Sequence, residues 1–74
     1  MPALIELLRD QDEVVRYKAV GVLGHIAAED AIPALIQLLQ DQSSGVRFNT
    51  AWALRQIGTP EALEAVKEYE KSNW

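Results

Sequence analysis

Apolar side chains recur at helical spacing along the chain, and they do so in two similar segments. The first segment returns 31 positions later with most of its residues kept. Pro2, Ala3, Leu4, Ile5, Leu7, Leu8, Asp10, Gln11, Val15, Arg16, Leu23 and Ile26 recur as Pro33, Ala34, Leu35, Ile36, Leu38, Leu39, Asp41, Gln42, Val46, Arg47, Leu54 and Ile57. Because the shared positions are mostly apolar and follow a helical period, the unit that repeats is a packing unit.

The pattern predicts five helices joined by short turns, over residues 2–9, 13–27, 31–40, 44–57 and 60–71. Proline stands at or near the start of the first, third and fifth helices, where its missing N–H costs little. Asp12, Ser43 and Thr59 are placed to cap helix N-termini, and Gly58 is placed for the left-handed residue that ends the fourth helix. No stretch alternates as a β-strand does, so the predicted fold class is all-α.

Two of these helices carry an apolar stripe that we expect to face inward. The stripes are Val15, Ala19, Val22, Leu23 and Ile26 in the second helix, and Val46, Thr50, Ala53, Leu54 and Ile57 in the fourth. The predicted architecture is a single domain, an α-solenoid of about two and a half helical hairpins. Repeat one covers residues 1–30, repeat two 31–58, and a C-terminal capping helix with a polar outer face 59–74.

The first helix has no polar outer face of its own. Its apolar residues Leu4, Ile5, Leu7 and Leu8 spread over too much of the helix circumference for one buried side. Either the chain is the C-terminal piece of a longer array, or another molecule covers this end. A second copy is one such molecule, so the sequence predicts a possible homodimer through the uncapped N-terminal helix.

The repeated residues resemble those of HEAT-repeat proteins, specifically the short HEAT-like repeats of the phycobilisome (bilin) lyase type. The resemblance rests on Ile32-Pro33-Ala34-Leu35-Ile36, Leu38-Leu39, Val46-Arg47, Ala53-Leu54 and Ile57-Gly58, and on their counterparts in the first copy. It implies that Arg16 and Arg47 bridge repeats through Asp10, Asp12 or Asp41. Two departures stand out: Ala27 occupies the place of the closing glycine, and Arg55 the place of Gly24.

In proteins of this type the second helix of each hairpin lines a concave surface. The resemblance therefore implies a partner-binding surface on the second and fourth helices, made by Tyr17, Lys18, Gly21, His25, Phe48, Asn49, Trp52 and Gln56. Aromatic residues among adaptable polar groups are typical of protein interfaces. We expect Trp52 to lie across the space that Gly21 leaves in the preceding copy. The alternative is that Tyr17, Phe48 and Trp52 only cover core edges.

Composition narrows the possible functions. The 74 residues include no cysteine, which excludes disulfides and thiolate metal sites, and the net charge of −4 argues against binding to nucleic acid or anionic membranes. No apolar run approaches the roughly 20 residues of a membrane span, and the N-terminus lacks the features of a secretory signal, so a cytoplasmic location is the default. The single histidine, His25, has no second ligand at helical spacing, and no nucleophile–base set is evident.

These observations favour a noncatalytic module for protein–protein interaction or scaffolding, with no cofactor and with a protein partner. Two alternatives stay open. The chain is a fragment or accessory of a bilin lyase or another chromophore-handling protein, as the resemblance implies, or it is a self-associating structural repeat fragment.

Overall fold

The computed structural model describes residues 2–72. Within that range the chain forms α1 (Pro2–Leu7), α2 (Glu13–His25), α3 (Ile32–Leu38), α4 (Ser44–Ile57) and α5 (Pro60–Ser72), with a short 3₁₀ helix at Glu29–Ala31 before α3. No strand occurs among these residues, which confirms the all-α prediction. The first residue of predicted repeat one and the last two of the predicted capping helix lie outside the described range.

The predicted caps form hydrogen bonds at three helix N-termini. The side chains of Asp12, Ser43 and Thr59 accept hydrogen bonds from backbone N–H groups of α2, α4 and α5, at 2.9, 3.3 and 3.3 Å. Each satisfies one of the first-turn donors for which a helix has no internal partner. At the other end of α4, Gly58 has a φ of 73°, the left-handed conformation that glycine adopts without strain.

Three helices end earlier than the periodicity predicts. α1 and α3 end at Leu7 and Leu38, and α2 ends at His25. After α1 and α3 the chain tightens, because Arg9 and Gln40 donate to carbonyl groups three residues back rather than four, at 3.0 and 3.1 Å. The apolar pattern continues through these tightened turns, which is why the sequence alone predicts longer helices.

The helices pair into two stacked hairpins. α1 packs on α2 and α3 on α4; α2 packs along α4, and α5 closes against α3 and α4. The largest fully buried side chains are Leu8, Leu23, Leu35, Leu54, Val20, Val46 and Thr50. The Thr50 hydroxyl is satisfied because it donates to the Val46 carbonyl at 2.6 Å. This is the predicted α-solenoid of two hairpins and a closing helix.

The inward face of α2 differs from the predicted stripe. Val22 and Ile26 are 45% and 43% exposed, whereas Val20 and Gly24 are buried. The cause is the side from which α4 approaches: a Cβ placed on Gly24 would lie 2.7 Å from the Cα of Ala53. Ala53, which is the repeat-two counterpart of Val22, is fully buried because α2 lies against it. Val22 therefore faces away from repeat two and is left partly exposed.

The first helix is less open than its sequence predicts. Leu8 is 2% exposed and belongs to the core, and Leu4 and Ile5 are partly buried against that core. Only Leu7 of the predicted self-association set is exposed, at 39%. We refer to Leu7, Val22 and Ile26 together as the N-terminal face.

An ion pair joins the two repeats. The Nε of Arg16 lies 2.9 Å from Oδ1 of Asp41, and its Nη2 donates to Oδ2 at 3.1 Å. The third nitrogen, Nη1, donates to the carbonyl groups of Asp10 and Gln11 at 2.7 and 3.1 Å. Arg16 thus forms the bridge that the resemblance implies.

Arg47 does not form the corresponding bridge. It repeats only the second half of the Arg16 arrangement, donating from Nη1 to the carbonyl groups of Asp41 and Gln42 at 2.5 and 3.1 Å. Both carbonyl groups belong to the turn before α4, so this arginine stays within its own repeat across the described residues.

Candidate functional site

The eight predicted partner-binding residues lie on α2 and α4, and we call them the α2–α4 face. Three of them carry exposed aromatic rings: Tyr17 is 49% exposed, Phe48 76% and Trp52 37%. The remaining members divide into the exposed Lys18, His25 and Gln56 and the half-buried Gly21 and Asn49. The structure thus leaves six of the eight side chains accessible to a partner.

Asn49 has a structural role within this face. Its Nδ2 donates to the backbone carbonyl of Tyr17 at 3.0 Å, across the boundary between the repeats. The same nitrogen would lie 3.6 Å from a Cβ on Gly21, which is ordinary contact. The amide therefore fixes α4 against α2 and holds the backbone beneath the Tyr17 ring, so Asn49 contributes to the face mainly by positioning it.

Trp52 lies against a different glycine from the one expected. A Cβ on Gly24 would come within 2.9 Å of the Trp52 Cζ3 atom, whereas the contact of Gly21 is with Asn49. The indole thus covers the point of closest approach between α2 and α4, one helical turn beyond the predicted position. Its exposed edge remains part of the α2–α4 face.

The Tyr17 ring borders a shallow pocket between the N-terminal turns of the two helices. The pocket has a volume of ≈ 230 Å³ and is lined by Glu13, Val14, Tyr17, Ser43 and Gly45. A Cβ on Gly45 would lie 4.0 Å from the Tyr17 Cδ2 atom, so this glycine leaves the side of the ring open. Val14 and Gly45 are not among the eight predicted contacts, although a glycine in the first turn of a helix is a usable signal for such an opening.

The groups on this face are of the kinds found at protein interfaces. Exposed rings supply apolar area, and Lys18, His25 and Gln56 supply adaptable polar groups at the margin. Among residues 2–72, no group of three or more His, Cys, Asp or Glu side chains is arranged to hold a metal ion. In the same part of the chain, no helix is long and apolar enough to cross a membrane.

Comparison with known proteins agrees with this architecture. The family model described as HEAT repeats matches residues 1–74. No curated protein matches the chain.

Proposed function

The chain belongs to the HEAT-repeat family, and from this premise we propose that it is a noncatalytic protein-interaction module that binds a protein partner through the α2–α4 face. HEAT repeats are commonly scaffolds for protein interaction, and the family is generally noncatalytic. The match is to HEAT repeats in general and does not single out the bilin-lyase type.

The observation that carries the proposal is the exposure of three aromatic rings on one face. Tyr17, Phe48 and Trp52 are large apolar side chains left largely or partly in water, although the fold buries the leucines beside them. Exposed aromatic residues supply much of the binding free energy at protein interfaces, because each buries a large area at a low cost in side-chain entropy. On this proposal, the three rings are exposed in the free protein and become buried when the partner binds.

The test compares partner binding by two surface variants. Phe48→Ala combined with Trp52→Ala removes two rings of the face, and Leu63→Ala removes an exposed apolar side chain on α5. We expect a partner captured by the native protein, then purified and titrated, to bind the Leu63 variant normally. It should bind the double variant at least about tenfold more weakly, as expected for the loss of interface aromatics.

Circular dichroism and urea unfolding establish that the double variant is folded before its affinity is interpreted. A folded double variant that binds the purified partner as tightly as the native protein would contradict the assignment of this face. A loss of binding by the Leu63 variant alone would move the interface to α5.

A second candidate is self-association through the N-terminal face. It is favoured by the exposure of Val22 and Ile26 at positions where repeat two has Ala53 buried and Ile57 half-buried. A face of partly exposed apolar side chains is suited to packing against a second copy related by a twofold axis. The two candidates use different faces and are compatible.

A further inference from the structure

Arg47 is an arginine whose surroundings reproduce those of Arg16 except for the carboxylate. In both residues Nη1 is held by two carbonyl groups of the turn before the helix. Arg16 uses its other nitrogens to hold Asp41, whereas no carboxylate within residues 2–72 pairs with Arg47. Arg47 is half-buried and its guanidinium is anchored at one nitrogen, so the remaining donors are oriented before any ligand arrives.

The position that would supply the carboxylate holds a serine. Ser72 follows Asp41 by the repeat length of 31 residues, but α5 remains helical there. The Ser72 hydroxyl donates to the carbonyl groups of Glu68 and Tyr69, at 2.9 and 3.2 Å, within its own helix. The chain therefore does not use this residue to complete the Arg47 site.

The interface between α2 and α4 shows what kind of segment packs against such an arginine. Asp41 binds Arg16 and also accepts from the Ser43 N–H at 2.9 Å, immediately before α4 begins. Four residues later Gly45 lies beside the Tyr17 ring, and eight residues later Asn49 donates to the Tyr17 carbonyl. The segment that packs on Arg16 and Tyr17 is thus the N-terminal part of a helix. It has an aspartate before the helix, a small residue four positions after that aspartate, and an amide side chain eight positions after it.

Arg47 and Phe48 present the same pair near the N-terminus of α4, and we call them the α4 edge. Phe48 is the counterpart of Tyr17 and has the most exposed ring of the α2–α4 face. We propose that the α4 edge binds the N-terminal turns of a partner helix that is preceded by an aspartate. This inference rests on the proposed function, since it names the kind of segment that a protein partner presents.

The contact is limited to about two helical turns. In the internal interface, Gly24 of α2 lets α4 approach closely, because a Cβ there would lie 2.7 Å from the Cα of Ala53. The counterpart of Gly24 on α4 is Arg55, which is paired with Glu70 of α5. This large side chain stands where a closely stacked helix would require a glycine. The partner helix must therefore diverge after its first turns, and the Arg47–aspartate pair carries the specificity.

A second copy of this chain fits the edge less well than another protein does. The counterpart of Asp41 before α2 is Asp10, but the residues four and eight positions after Asp10 are Val14 and Lys18. Valine would fill the space that Gly45 leaves beside Tyr17, and lysine lacks the geometry of the Asn49 amide. The pattern of aspartate, small residue and amide therefore points to a heterologous partner.

The probe is a synthetic peptide of residues 41–54, which is the internal occupant itself, titrated into the full-length ¹⁵N-labelled protein. We expect saturable shifts of the Arg47 Nε–H and Phe48 backbone signals. The same peptide carrying Asp41→Asn should bind about tenfold more weakly, because a charge-assisted hydrogen bond is replaced by a neutral one. The protein is unchanged between these two titrations, so folding does not enter the comparison.

Variants of the protein complete the test. Arg47→Lys keeps the charge but loses the two-nitrogen geometry, so it should weaken binding of the aspartate peptide and leave binding of the asparagine peptide almost unchanged. Leu63→Ala, on α5 and outside the α2–α4 face, should leave peptide affinity unchanged. Equal binding of the two peptides, or shifts confined to the Trp52 side chain, would overturn the proposal. Arg47 shifts that follow protein concentration without peptide would instead identify a second copy as the occupant.

Discussion

Ala27 and Gly58 occupy the same position after the second helix of their repeats, and both have left-handed backbone conformations. Their φ angles are 52° and 73°. Among residues 2–72, Ala27 is the one non-glycine residue with a positive φ. An L-residue with a Cβ is strained in this region, where glycine is not. Repeat one therefore closes with a strained alanine at the place where repeat two has glycine.

Ala27→Gly is expected to stabilise the protein. Relief of the left-handed strain contributes about 1–2 kcal/mol, and the greater entropy of glycine in the unfolded chain offsets about 0.5–1 kcal/mol of it. The free energy of unfolding, measured in urea, should rise by about 0.5 kcal/mol. Gly58→Ala is the matched control, since a Cβ there meets no atom closer than 3.5 Å and the change isolates the strain. Gly58→Ala should lower the free energy of unfolding. If Ala27→Gly lowers it as well, the alanine at position 27 is not strained.

Asp41→Asn should destabilise the protein far more than Asp10→Asn. The two aspartates make the same turn contact, each accepting from the N–H two residues later at 2.9 Å. Of the two carboxylates, only that of Asp41 also binds Arg16, whose side chain is largely buried. Removing one partner of a buried pair leaves the other charge uncompensated, at a cost of about 3 kcal/mol. Urea unfolding of both variants gives the difference, and equal losses would show that the Arg16 bridge adds little.

Most of the fold could be predicted because its signals are local. The caps at Asp12 and Ser43 and the stop at Gly58 depend on side chains within a few residues, and the repeat carries the helix pattern from one hairpin to the next. The direction of packing could not be predicted in the same way. Periodicity groups residues on one side of α2, but only the approach of α4 places Val20 inside and Val22 outside.

The helical spacing predicts which aromatic side chains are exposed, whereas the role of this face in binding a partner stays a prediction. Tyr17, Phe48 and Trp52 are exposed together, as the helical spacing implies. The error of one turn in the glycine that Trp52 meets has a physical cause, because the stagger between stacked helices is set by the closest backbone approach at Gly24. Leu8 was misplaced for a related reason: a helix that is apolar on several sides gives no indication of which side its neighbours cover.

Gly24→Ala and Gly21→Ala should have opposite effects on stability. A Cβ on Gly24 would meet the Ala53 backbone at 2.7 Å, so α2 and α4 must move apart. Overpacking of this kind costs about 2 kcal/mol, more than the helix propensity gained. A Cβ on Gly21 has its nearest neighbour at 3.6 Å, and alanine there should add about 0.5 kcal/mol through propensity alone. Thermal unfolding of the two variants is the measurement. Equal effects would show that α2 and α4 can separate at Gly24 without a cost in stability.

The N-terminal face predicts a melting temperature that rises with protein concentration, because a dimer that binds only the folded chain stabilises it by mass action. Val22→Glu places a charge on this face, and Leu63→Glu places the same charge on an exposed apolar position of α5. Melting curves and sedimentation equilibrium over a wide concentration range should show the concentration dependence in the native protein and the Leu63 variant, and a monomer for Val22→Glu. If the native protein stays monomeric and its melting temperature is constant, the prediction of self-association is wrong. Val22 and Ile26 are then apolar residues that the fold tolerates on its surface.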